Sequence, residues 1–108
     1  MVDKASDLIL NSMGASPRSL RRLIGRRARH VRLASRRSQS DVARAAGVSL
    51  PTLRRFEAGA NVNLDVLVRV AIALEADRDL RELFTPPDVQ TIDEVFKRRA
   101  LPMRGRSR

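Results

Sequence analysis

The sequence predicts an all-α protein with a single small folded domain, and three observations predict it. Apolar residues recur at helical spacing in nearly every segment, and no segment alternates with the period of a strand. The interruptions fall where helices begin and end, with Ser or Asn before an apolar run and Gly or Pro after it. The chain has 108 residues, enough for one modest core of several short helices.

Residues 2–13 place Val2, Ala5, Leu8, Ile9 and Met13 at helical spacing, and "GASP" at 14–17 breaks the pattern. A second helix is predicted over 17–35, with Pro17 at a tolerated early position. Its inward stripe is Leu20, Leu23, Ile24, Ala28, Val31 and Ala34. A third begins near Ser38, a candidate N-cap, with the Asp41 carboxylate in its first turn. Val42, Ala43 and Ala46 face inward, and Gly47 ends the helix by taking the left-handed conformation that a tight stop requires. Ser49 caps the next helix, Pro51 fits its first turn, and Leu53 and Phe56 form its buried pair. Gly59 closes that helix, and Asn63 caps a fifth with Leu64, Leu67, Val68, Ala71 and Leu74 inward. "RDLRELF" makes a short further helix, and "TPPD" at 85–88 stops it. "TIDEVFKRRA" at 91–100 has Thr91 as cap and Glu94 three residues on. The tail "LPMRGRSR" reads as disordered. The division is an N-terminal helical extension over 1–16, a folded domain over 17–84, and a C-terminal extension with a basic tail over 85–108.

Charge narrows the function. Lys and Arg number 22 against 12 acids, a net charge of +10. Such an excess suits a polyanionic partner whose phosphates are neutralised with counterion release; an arginine-biased, solvated surface is the plain alternative. The chain has no Cys, which excludes disulfide and thiolate chemistry. It has no apolar run long enough for a bilayer and no signal-peptide pattern at its start, so the expected location is the cytoplasm, at the nucleoid. His30, the single His, has no ligand cluster around it and reads as a surface residue rather than a metal ligand. No nucleophile has a base partner and no Gly-rich loop cradles phosphate. Catalysis, metals and cofactors are therefore not expected.

Two helices joined through Ala46-Gly47-Val48-Ser49 make a helix-turn-helix, because so short a turn sets the second helix at a steep angle to the first. An ordinary helical hairpin is the alternative. The small Ala43 at the crossing and the serine caps at matching helix starts argue against it. The second helix can then enter a major groove while the first lies across the backbone.

Residues 23–75 resemble the Xre/lambda-repressor-type helix-turn-helix domain, a five-helix module that binds operator DNA as a dimer. The pieces that carry the resemblance are "LIGRRARHVRLA", "SQSDVARAAGVS", "TLRRFEAG" and "NLDVLVRVAIAL". The resemblance implies that Gln39 touches phosphate or a base at the groove edge, and that Leu50, Pro51, Thr52 and, one turn on, Arg55 face base edges. It also implies an ion pair between Arg32 and Glu57, with Arg32 a further candidate for phosphate. Apolar Leu50 and Pro51 suit thymine methyls or a protein partner, and Arg55 suits guanine. Arg54 is a phosphate contact or a solvated charge. Arg36 and Arg37, near the start of the next helix, are candidates to meet the DNA backbone, with a solvated helix face as the alternative, and Ser38 and Ser49 can present amides to phosphate while capping. The chain departs from the family in having Ala60 where a basic residue is common, and Leu50 and Pro51 where polar residues are common.

"LRELFTPPDVQTIDEVFKRRALPMRGRSR" after the module resembles the HipB-like antitoxins, which repress their own operon and bind a HipA-like serine/threonine kinase toxin. That resemblance implies a homodimer, with residues 89–95 as one candidate dimerisation element, helical or strand-like. The full reading is a sequence-specific repressor of double-stranded operator DNA, acting as the antitoxin of such a kinase. The alternatives are a stand-alone Xre-type repressor, a module that mainly inhibits a kinase, and a charge-driven binder of nucleic acid including RNA. The scarcity of stackable aromatics argues against single-strand binding.

Overall fold

A computed structural model describes residues 14–87, together with positions 5, 8, 9 and 12. The described residues form five helices and no strand: α1 (Pro17–Ala34), α2 (Gln39–Ala46), α3 (Leu50–Glu57), α4 (Leu64–Ala73) and α5 (Asp77–Arg81). Ala5, Leu8, Ile9 and Ser12 are also helical. The C-terminal expectations for 88–108, including helix or strand at 89–95 and the disordered tail, lie outside the described residues, as does most of the 2–13 stretch.

Each helix start follows from its cap. Ser16 Oγ accepts from Ser19 N at 3.0 Å, and Ser19 Oγ accepts from Ser16 N at 3.2 Å, ahead of Pro17. Asn63 Oδ1 accepts from Val66 N at 2.9 Å to open α4. The ends of α1 to α4 share one device: a left-handed residue stands at the cap of α2 and just after the cap of the others, and the next amide turns back to a carbonyl of the last turn. Gly47 and Gly59 take that position at φ 71° and 86°. Arg36 and Glu75 take it at φ 57° and 59°, where a Cβ crowds the backbone at a cost of about 1–2 kcal/mol. Arg36→Gly is accordingly expected to raise stability by about 0.5–1 kcal/mol, read as a higher midpoint in thermal unfolding.

The core is Val42, Ala43 and Ala46 of α2, Leu53 and Phe56 of α3, and Val70 and Leu74 from α4 and its end, with Val48 of the turn packed against it. Val42, Leu53 and Val70 are wholly inside. Helix α1 meets this core by an unexpected face. Of the predicted stripe, Leu23 is buried, but Leu20, Ile24 and Val31 are exposed. The face turned toward α3 carries Gly25 and Arg32, both buried, with Ala28 packed on the core. Small residues admit the closest approach of two helices, and that outweighs the area offered by the larger side chains.

Three smaller corrections follow. Leu64, expected inside, is the first residue of α4 and is exposed. The predicted 78–84 helix is helical only over Asp77–Arg81, and it ends before Phe84, which is 97% exposed at φ 59°. His30 is half-buried rather than a surface residue, and its Nδ1 is buried without a hydrogen-bond partner.

Candidate nucleic-acid interface

The turn between α2 and α3 is closed by hydrogen bonds from Gly47 N to Arg44 O at 3.2 Å and from Val48 N to Ala43 O at 3.0 Å. With Leu53 and Phe56 held in the core, helical periodicity turns the opposite side of α3 outward. Pro51, Arg54 and Arg55 are exposed, and Leu50 and Thr52 are half-buried. Ser49 Oγ accepts from Thr52 N at 3.2 Å and donates to Thr52 Oγ1 at 2.8 Å, which fixes the first turn of the helix. Arg55 reaches back from Nη2 to the carbonyl of Asn61 at 3.4 Å, a long contact that biases rather than locks it.

A chain of charged and polar groups anchors this face. Arg32 Nε and Nη2 donate to the two oxygens of Glu57 at 2.7 and 3.1 Å, a bidentate pair. The two side chains are only 7% and 5% exposed. The remaining arm of Arg32 donates to Arg37 O at 3.0 Å. Gln39 Nε2 donates to Glu57 Oε1 at 2.9 Å, and Arg54 Nε donates to Gln39 Oε1 at 3.3 Å. The series Arg32–Glu57–Gln39–Arg54 thus runs from the interior to the exposed flank of α3.

These contacts divide the predicted residues. Leu50, Pro51, Thr52, Arg54 and Arg55 come together on α3, with Ser49 at its start. Gln39 joins them from α2 and already engages both ends of its amide within the protein. Arg32 is drawn inside and Arg37 is folded onto the scaffold, its Nη1 donating to Ala73 O at 2.7 Å at the end of α4. Arg32 is thereby committed to the buried carboxylate and a backbone carbonyl, whereas Arg37 is half-buried with one arm tied to the end of α4. Arg36 remains exposed on the surface.

Ser38 caps α2 reciprocally with Asp41: Asp41 N donates to Ser38 Oγ at 3.0 Å, and Ser38 N donates to Asp41 Oδ2 at 3.3 Å. The backbone hydrogen bond from Ser38 is the main reason that the Asp41 carboxyl lies below its ordinary range, followed by the Ser38 side chain and the nearby Arg44 and Arg37 charges. A pKa lowered in the folded state stabilises the protein above the ordinary aspartate value, and that contribution is lost as pH falls through the folded value. Asp41→Asn should therefore be less stable than the parent at neutral pH, with the difference closing in strong acid. Thermal midpoints of the two proteins across an acid series test this.

Two close approaches were not anticipated from sequence. A Cβ on Gly25 would lie 2.4 Å from Phe56 O and 2.7 Å from Glu57 O, so this glycine sets how closely α1 approaches the end of α3. Gly59 sits on the same seam: a Cβ there would meet Arg22 Cγ at 2.8 Å, and its carbonyl accepts from Arg21 Nε at 3.0 Å. A lone glycine inside an otherwise helical pattern was the available signal for Gly25.

The pinched α2–α3 pair within five helices is the geometry of a DNA-reading module. A family model described as a helix-turn-helix domain matches residues 23–84, more than half of the chain. The chain belongs to this helix-turn-helix family. No curated protein matches it. The helix-turn-helix match and the all-helical architecture agree with a lambda-repressor-like fold, and with a DNA-binding regulator. In this helix-turn-helix protein α3 takes the place of the recognition helix and α2 that of the helix crossing the backbone. Among the described residues no helix is long and apolar enough to cross a membrane.

Proposed function

We propose that this protein is a sequence-specific transcriptional repressor that binds double-stranded operator DNA as a homodimer in the cytoplasm, at the nucleoid. The observation that carries the reading is the outward face of α3, where Leu50, Pro51, Thr52, Arg54 and Arg55 are presented by a helix pinned from behind through Glu57. In this reading Arg55 holds guanine bidentately, and Leu50 and Pro51 meet thymine methyls. Arg36 and Arg54 meet phosphates, and the capped starts of α2 and α3 at Ser38 and Ser49 offer backbone amides. Gln39 meets the groove edge and steadies Arg54. Two copies place their recognition helices roughly 34 Å apart on a near-palindromic site.

Binding to the protein's own promoter and to a scrambled duplex, each at two salt concentrations, tests the proposal. Arg55→Ala should lower the preference for the promoter about tenfold, within the ~1–3 kcal/mol of a bidentate base contact. Arg54→Ala should weaken both duplexes alike and make the slope of log K against log salt shallower by about one. Equal affinity of the parent protein for the two duplexes would remove the repressor reading.

The narrower role, antitoxin to a HipA-like serine/threonine kinase and autorepressor of its operon, is supported by the character of the sequence after α5. A neighbouring gene for such a kinase, and co-purification of its product with this protein, are its test. Without either, a stand-alone repressor is left.

A further inference from the structure

Helix α1 begins at Pro17, ahead of the stretch 23–84 that matches the helix-turn-helix family. Residues 17–22, "PRSLRR", carry Arg18, Arg21 and Arg22. Ser16 and Ser19 cap this added length reciprocally, and it is tied to the end of α3. Arg21 Nε donates to Gly59 O at 3.0 Å. A Cβ on Gly59 would lie 2.9 Å from Arg22 Cα and 3.1 Å from Arg22 N, so the two backbones run close together. From the other side of the same loop, Arg55 Nη2 approaches Asn61 O. The loop from Ala58 to Asn61 therefore stands between the outward face of α3 and the first turns of α1.

We propose that Arg18 and Arg22 form a further phosphate-binding site, which holds the DNA backbone beside the end of α3; this rests on the DNA-binding reading above. Placement is the first argument. With the start of α3 at the base edges, its end turns toward the rim of the groove, where the phosphates run. The loop there, Ala58-Gly59-Ala60-Asn61, has no charged side chain of its own, and α1 supplies the cations instead. Presentation is the second. Arg18 and Arg22 are both exposed. They stand at i and i+4, about 6 Å apart along one face of the helix. Charge is the third. The exposed Arg44, Arg69 and Arg81 are each paired with an aspartate one turn back. Neither Arg18 nor Arg22 forms an ion pair among the described residues, and α1 carries seven arginines and no carboxylate. Like charges at this spacing repel, and a phosphate seated between them removes a repulsion that the free protein carries.

The test uses the full-length protein and the scrambled duplex, titrated across a salt series. Arg18→Gln is combined with Arg22→Gln. A control, Arg78→Gln with Arg81→Gln, removes the same charge from α5, which packs on α4. Glutamine keeps the helix propensity of arginine, and circular dichroism checks that each variant is folded. For the α1 variant the slope of log K against log salt should become shallower by about two, with affinity about tenfold lower at low salt. The control should keep a slope near that of the parent. Arg18→Lys with Arg22→Lys, which retains both charges, should also keep it. An α1 variant with the parent's slope, or an equal change in the control, would overturn the proposal; so would a lysine variant as weak as the glutamine one, since the side chains would then act through the fold. The scrambled duplex keeps this outcome separate from the repressor reading. Equal affinity of the parent for promoter and scrambled DNA removes that reading and still leaves a slope to compare.

Discussion

Glu57→Ala is expected to destabilise the protein by about 3–5 kcal/mol, the range for removing one partner of a buried ion pair. The loss comes less from the missing attraction than from what stays behind. The Arg32 guanidinium would remain inside with two of its donors unsatisfied, held only by Arg37 O. A domain of this size has a total stability of about 5–15 kcal/mol, so much of the population could unfold at growth temperature. Urea unfolding followed by circular dichroism measures the effect. Replacing both partners together, Arg32→Met with Glu57→Leu, should recover much of the loss, because no charge is then stranded. A shift below about 1 kcal/mol for Glu57→Ala, the scale of a surface pair, would show that the pair is not the internal tie described above. The double variant has a separate consequence for DNA. Gln39 would lose its acceptor on Glu57, and Arg54 would lose its steadied partner, so DNA binding should weaken even where stability returns.

Gly25→Ala is expected to destabilise by about 1–3 kcal/mol or more, the cost of overpacking a close contact. Intrinsic helix propensity alone predicts the opposite sign, since Ala is favoured over Gly by about 1 kcal/mol in a helix interior. The contact decides, because the added methyl would meet the carbonyls of Phe56 and Glu57. Those are backbone atoms at the end of α3 and cannot swing aside as the tip of a side chain can. Any relief must move α1 or α3, and moving α3 re-aims the face that carries Arg54 and Arg55. Thermal unfolding gives the sign directly. A variant more stable than the parent would mean that α1 and α3 do not meet closely at this residue.

Much of the fold was legible because the informative signals are local. Ser38, Ser49 and Asn63 are caps, and Gly47 and Gly59 are left-handed stops; each acts within a few residues, so the chain itself specifies where α2, α3 and α4 begin or end. The inward sets of α2 and α3 were also legible, since a helix of eight residues with small or apolar positions three and four apart has only one face to bury. The face of α1 was not. Its pattern offered Leu20, Ile24 and Val31 beside Leu23 and Ala28; the last two do turn inward, but Gly25 and Arg32, which also turn toward the rest of the protein, were not offered. Periodicity weighs hydrophobic area, whereas two helices near their closest approach select for absence of bulk. The extent of the last helix was missed for a related reason: Leu80, Leu83 and Phe84 keep helical spacing, but a left-handed Phe84 lies beyond the point where the backbone leaves the helix.

For the candidate interface, the residue types were readable and their duties were not. Sequence by itself determined an all-α chain, a helix-turn-helix at 38–59, a strongly basic surface and an α3 whose unburied positions are Leu50, Pro51, Thr52, Arg54 and Arg55. These follow from spacing, capping and composition, which are properties of neighbours along the chain. Only the tertiary structure decided which arginines turn outward. Arg32, Arg36 and Arg37 are nearly adjacent and chemically alike, yet Arg32 meets Glu57 25 residues away, Arg37 closes the end of α4 36 residues away, and Arg36 stays in solvent. A guanidinium can satisfy a buried carboxylate, a helix end or a phosphate equally well. Which of these it finds depends on what the fold brings within about 3 Å of it.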